Sequence, residues 1–159
     1  MLKSRPIIAF VATIDPQRAK AFYAGTLGLR VVSEDAFAIT LDAGGTMLRV
    51  MTVQALQPAA YTALGWIVPD IRKAVRDLSG RHVRFQRYDG MGQDEAGIWT
   101  SPSGAKVAWF QDPDGNTLSV TEFESSPTRL KRRPARATKS ARPPSRQRRK
   151  EMPVTRERR

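Results

Sequence analysis

The chain has 159 residues, with 27 Lys+Arg against 15 Asp+Glu and a formal net charge of +12. It has no cysteine and one histidine, which excludes disulfide scaffolds, zinc–thiolate and iron–sulfur sites, cysteine nucleophiles and any site needing two histidines of this chain. Residues 1–123 carry 13 basic and 12 acidic side chains, a net of +1, whereas 124–159 carry 14 and 3, a net of +11, so the body is not a basic, nucleic-acid-coating fold.

The first predicted element is an apolar strand over residues 7–14, stopped by Asp15-Pro16. Asp15 is placed to cap the following helix, with Pro16 at its first position. Ala19, Phe22, Tyr23 and Leu27 fall at helical spacing, and Gly28 ends the helix. Strands are predicted over 30–34, 36–42 and 46–52, the last two joined by a turn at Ala43-Gly44-Gly45. The order then repeats. Residues 64–68 read as a strand and Asp70 as a cap. Ile71, Val75 and Leu78 form an apolar helix stripe, and Gly80 is its stop. Strands follow over 82–88, 97–101, 105–111 and 117–123, with turns at Pro102-Ser103-Gly104 and Asp112-Pro113-Asp114-Gly115. Asp15 and Asp70 occupy matching places in the two halves. The internal repeat points to two modules, about 6–53 and 62–123, that associate because neither covers its own sheet.

Residues 128–159 hold four prolines, many arginines and no aromatic residue. They read as a disordered basic tail that buries too little apolar surface to offset the entropy of ordering. Two readings stand for it: a polyanion-binding arm with weak, nonspecific affinity for nucleic acid, or a solvated extension with no dedicated partner. No apolar run reaches the length of a membrane span, and Ile7–Ile14 is not followed by a cleavage site, so a cytoplasmic protein with no membrane partner is expected.

The sequence resembles the vicinal oxygen chelate superfamily, which groups glyoxalase I, extradiol dioxygenases, and fosfomycin and bleomycin resistance proteins. The resemblance rests on Asp15 followed by Ala21-Phe22-Tyr23 and Leu27-Gly28-Leu29. Val68-Pro69-Asp70-Ile71 and Asp112-Pro113-Asp114-Gly115-Asn116 complete it. It implies an α+β fold of two βαβββ modules forming a cup-shaped mixed sheet, often within a homodimer. In metal-dependent members, ligands sit at matched strand positions lining the cup. The corresponding positions here hold Ile8, Arg49, Ala63 and Ser119, and their neighbours Ile7, Ala9, Thr62, Leu64, Leu118 and Val120 supply no usual ligand. Divalent cations need imidazole, carboxylate, carbonyl or water oxygen donors. The expectation is therefore a member with no metal site and no cofactor.

Strand alternation sorts the lining. If Ile8 faces the cup, Phe10 and Ala12 do too. Met47, Arg49 and Met51 align in module one, and Ala63, Gly65 and Ile67 in module two. Thr117, Ser119 and Thr121 share a face, with Leu118 and Val120 under a helix. The candidate ligand-binding set is Ile8, Phe10, Met47, Arg49, Met51, Ala63, Gly65, Trp99 and Ser119, apolar walls with a few placed polar groups. Arg49 either pairs with a ligand carboxylate or phosphate or rests at the rim beside an acidic neighbour. Trp99 is the favoured stacking wall. Trp66 and Trp109 read as core or dimer-buried, and Tyr88 is a further aromatic candidate. Asp94 and Glu95 are adjacent and cannot both enter one pocket from a regular strand. His82 reads as an exposed turn residue. Ser79, Ser101 and Ser103 have no evident base, and Gly90-Met91-Gly92 and Gly44-Gly45 open no helix.

These features favour a metal-independent small-molecule-binding protein of the bleomycin resistance type, with its ligand anionic or aromatic and catalysis left open. Two alternatives remain: a metal-dependent glyoxalase-like lyase or dioxygenase with an atypical ligand set, and a polyanion-associated protein anchored by the basic tail.

Overall fold

The computed structural model describes residues 1–124. The basic tail of the sequence reading lies outside the described residues, apart from Glu124.

The first module runs β1 (Ile8–Thr13), α1 (Pro16–Lys20), β2 (Arg30–Glu34), β3 (Ala38–Ala43) and β4 (Thr46–Thr52). The second runs β5 (Leu64–Ile67), α2 (Ile71–Ser79), β6 (Trp99–Thr100), β7 (Lys106–Gln111) and β8 (Thr117–Glu122). The sheet orders match: β1-β4-β3-β2 and β5-β8-β7-β6, four strands each. In both, the first and last strands pair in parallel and the other pairs are antiparallel, which makes two mixed sheets. This is the repeated α+β architecture that the sequence pattern implies.

The predicted caps form. Asp15 Oδ1 accepts from the Arg18 amide at 3.0 Å with Pro16 opening the helix, and Asp70 Oδ1 accepts from the Lys73 amide at 2.8 Å. Each satisfies an otherwise orphaned helix donor, a contribution of about 1 kcal/mol. The first helix departs from a simple α-helix after Lys20. Residues Ala21–Thr26 continue as a π-helix, with the Leu27 amide bonded to the Phe22 carbonyl. Gly28, at φ 75°, ends it in the left-handed region.

One core joins the modules. Val11, Ala19, Tyr23, Leu41, Leu48 and Val50 from the first meet Ile71, Val75, Phe110, Leu118 and Val120 from the second. Strand alternation explains the split: Ala9, Val11 and Thr13 turn inward, and Ile8, Phe10 and Ala12 turn to the opposite, open face. The prediction that Leu118 and Val120 are buried holds. Trp66 also packs inward, stacked on Phe110 at a centroid distance of 6.4 Å.

The strand expected over 82–88 does not form. Phe85 makes a single bridge to Phe110, and the Gln86 amide bonds the Trp109 carbonyl. Val83 is buried and Phe85 packs on the core, so alternate residues here are buried without a ladder. Further along β7, that side is taken by β6, which spans only Trp99–Thr100 where 97–101 was expected. The strand predicted over 36–42 begins later, at Ala38, because the Asp35 carboxylate accepts the Phe37 and Ala38 amides and holds a turn there.

The turn 112–116 ties the modules together. The Asp112 carboxylate accepts from the amides of Asp114 and Asn116 and from the Asn116 side chain. It also accepts the buried Tyr23 hydroxyl at 2.7 Å. Asp114 accepts from Thr13 Oγ1 at 2.6 Å and Arg18 at 3.2 Å, and Asn116 Nδ2 donates to the Ala12 carbonyl at 2.8 Å. Among the described residues, no helix is long and apolar enough to cross a membrane.

Candidate functional site

The candidate residues fall into two groups, one on the open face of each sheet. In the first, parallel register sets Ile8 beside Met47, Phe10 beside Arg49 and Ala12 beside Met51. Across the next pair, Arg49 lies opposite Thr40 and Met51 opposite Ala38. Ile8 and Phe10 on the edge strand β1 are 49% and 56% exposed, and Met47 on the neighbouring β4 is 44% exposed, so apolar surface lies open along this side of the sheet.

Arg49 is the one charged residue of this group. Its Nη2 lies 3.8 Å from Asp35 Oδ2, a long contact. Its Nε is buried and has no hydrogen-bond partner among the described residues. Asp35 is already committed elsewhere. Backbone donation from Phe37 and then Ala38 holds its carboxyl below the usual range, with Arg49 adding to the effect. The guanidinium therefore has unused donor capacity beside Phe10, Met47 and Met51. Of the two sequence readings, an acidic neighbour is present, and it leaves Nε unanswered.

On the second sheet Gly65 pairs with Ser119, and Ser119 with Trp109. Ala63 precedes β5, its amide bonded to the Thr117 carbonyl. Gly65 matters sterically: a Cβ there would stand 2.6 Å from Ser119 Oγ. Trp99 lies opposite Val107, one step from Trp109 on the same face. Trp99 and Trp109 have centroids 6.0 Å apart, and Tyr88 meets Trp109 edge-on at 5.7 Å. Trp109 Nε1 donates to Thr62 Oγ1 at 3.0 Å.

The expectation that Trp109 is core or dimer-buried needs correction as regards the core: it lies on the open face, and Phe110 is the core residue. The alternation of β7 carried that signal, since Ala108 and Phe110 are the fully apolar inward pair. Thr40, opposite Arg49, was missed because strand 36–42 was read without its register.

No hydrogen bond or ion pair links the two groups among the described residues. Grooves of about 680 and about 300 Å³ lie elsewhere, and none of the candidate residues lines either. His82 is exposed in the turn after α2, at φ 67°. Asp94 is held structurally: burial pushes its carboxyl up, but the amides of Ile98 and Ala96 and the Arg72 guanidinium outweigh that and lower it. Glu95 is exposed.

The residues do not fit a divalent cation. Among the described residues, no three His, Asp or Glu side chains lie close enough to hold one. The four positions singled out by the sequence resemblance, Ile8, Arg49, Ala63 and Ser119, offer an aliphatic side chain, a guanidinium, a methyl group and one hydroxyl.

Two βαβββ repeats, each with a mixed sheet and a helix on its inner face, define an α+β protein of the paired-module type. The chain belongs to the Glyoxalase/Bleomycin resistance protein/Dioxygenase superfamily, whose family model matches residues 7–120. No curated protein matches it. Among solved structures, it is similar to a glyoxalase family protein from Enterococcus faecalis, at 19% identity and a TM-score of 0.62, covering 77% of this chain and 100% of that one. It is also similar to a bleomycin resistance determinant encoded on transposon Tn5, at 21% identity and a TM-score of 0.61, covering 76% and 99%. A lactoylglutathione lyase from Agrobacterium tumefaciens matches at 19% identity and a TM-score of 0.56, covering 76% and 95%. At these identities the likeness establishes the fold alone.

Proposed function

We propose that this protein binds a small aromatic or anionic molecule without a metal ion, in a cup that two copies of the chain complete together. The observation that carries the reading is Arg49, whose buried Nε has no partner while its flanks are apolar. A buried donor left unsatisfied costs roughly 1–3 kcal/mol, more for a charged group. A ligand carboxylate or phosphate would recover that cost through a charge-assisted, forked contact. Phe10, Met47 and Met51 supply soft apolar walls, and the Trp99–Trp109 pair with Tyr88 supplies flat surfaces for a ring. The proposed ligand set is Ile8, Phe10, Met47, Arg49, Met51, Ala63, Gly65, Trp99 and Ser119, together with Trp109. Binding rather than turnover is the reading because neither open face gathers an acid, a base and a nucleophile in contact.

The test is a thermal-shift and calorimetric series of small aromatic carboxylates on the full chain, with elemental analysis of the same preparation. A carboxylate that raises Tm in wild type should lose at least tenfold in affinity with Arg49→Gln. Retention of one metal ion per chain, or binding at the open sheet faces that is indifferent to Arg49→Gln, would overturn the reading.

A further inference from the structure

The basic residues of the body are not evenly distributed. Arg72, Lys73, Arg76, Arg81, Arg84 and Arg87 fall within 16 residues that contain one acid, Asp77. Four of the six have committed heads, one of them Arg87 on the Glu95 carbonyl. Arg72 pairs with Asp94 at 2.7 Å, Lys73 with Asp77 at 2.6 Å, and Arg81 donates to the Thr26 carbonyl at 3.0 Å. Arg76, Arg84 and Arg87 form no ion pair among the described residues. Arg76 lies near enough to Asp77 to be felt by its carboxyl, but Lys73 holds that carboxylate.

These three arginines share one groove, of about 680 Å³, beside α2. Its floor is apolar: Val75 and Val83 are buried core residues, and Phe85 packs against the same core. Arg87 donates to the Glu95 carbonyl and so ties the segment after α2 to the loop that closes the groove. The Glu95 side chain is the one carboxylate of the lining, against three guanidiniums. None of the residues proposed for the cup takes part.

We propose that this groove is a second binding site, separate from the cup, for a small organic anion with an apolar body. The headgroup is a carboxylate or a phosphate monoester. Forked guanidiniums recognise both through paired N–H donors, and the valine and phenylalanine floor takes the body. A polyanion is the poorer fit. Its charges need a track of cations along an extended surface, whereas Arg76, Arg84 and Arg87 surround one apolar concavity.

The experiment is a residue-resolved NMR titration of the full, ¹⁵N-labelled chain at fixed ionic strength, with phenyl phosphate, phenylacetate and inorganic phosphate in turn. At least one organic anion should saturably shift the amides of Ser79, Arg84, Phe85 and Ala96. It should bind at least fivefold more tightly than inorganic phosphate, which has no body for the floor. The tighter of phenyl phosphate and phenylacetate identifies the headgroup. Arg76→Gln/Arg84→Gln should weaken that binding at least tenfold, and Arg49→Gln should leave it unchanged. The comparison in wild type decides the matter even if the double variant fails to fold. Shifts confined to the open sheet faces or to residues 125–159 would overturn the proposal. So would absence of saturable shifts, equal affinity for inorganic phosphate, or indifference to the double variant.

Discussion

Ser119 and Gly65 act as one unit. Ser119 is buried on β8, and its hydroxyl occupies the space that a side chain at residue 65 would take. Gly65→Ala therefore forces that hydroxyl into another rotamer, since the Ser119 carbonyl, at 3.6 Å from the new Cβ, is not displaced. The expected cost is about 1 kcal/mol. In a Ser119→Ala background the obstacle is gone, so Gly65→Ala should then be nearly neutral. A double-mutant cycle by urea unfolding reads the coupling, and additive costs would refute the steric account. Arg49 poses the opposite problem. Its neighbours leave a donor over rather than competing for space, which is why its predicted effect is on ligand affinity. Sequence alone could set Arg49 on one face with Met47 and Met51, because alternation fixes parity, but not say which face that is. It could not find the free Nε, which depends on Asp35 being occupied by its own turn.

At the level of elements, α2 is held at its N-terminus by two carboxylates. Asp70 caps the Lys73 amide, and Glu122 of β8 reaches the Ile71 amide at 2.8 Å and Lys106 at 2.9 Å. Those bonds, the Ile71 amide first and then Lys106, hold the Glu122 carboxyl below its ordinary 4.5. A carboxyl lowered by folding stabilises the native state fully above its ordinary value, and that stabilisation is lost as pH falls through the folded value. Glu122→Gln should thus lower stability at pH 7 by up to about 1 kcal/mol, given partial exposure and solvent screening. The gap should close as the pH falls below the ordinary 4.5. Thermal melts of both proteins across pH would show it, and a gap that persists in acid would mean the glutamate acts through packing. Caps and helix stripes were legible because they are local chemistry. Residues 82–88 were misread for a related reason. Period-two burial reports which side chains meet the core, and it is silent on whether a neighbouring strand is free to pair. Here Val83 and Phe85 satisfy the core while β6 takes part of the β7 edge.

For the whole molecule, the repeat made the fold legible, but not how the modules are joined. That junction is polar and centres on the buried Asp112, whose carboxylate accepts Tyr23 from the other module. Burial first, and then Asp112, push the Tyr23 hydroxyl far above its ordinary titration range, so it stays a donor at any working pH. Tyr23→Phe keeps the ring in the core and deletes the donor, and should cost roughly 1.5–3 kcal/mol, the range for hydrogen bonds to charged groups. A loss under a few tenths, by urea unfolding, would mean the Asn116 donors suffice. With the helical sides of both sheets spent on this shared core, the open faces keep Ile8, Phe10 and Met47, and Ile67 at 71% exposure. Covering each offers on the order of 1 kcal/mol, a favourable contribution set against the entropy of docking. The candidate residues stand on two separate sheets of one chain, and the proposed cup takes its remaining wall from a second copy. The full chain should therefore sediment at twice its monomer mass. Ile67→Glu, at an exposed position that leaves the monomer core untouched, should halve that mass and abolish the ligand-induced Tm rise together. A wild-type monomer that still binds ligand through Arg49 would show that one chain completes the cup unaided.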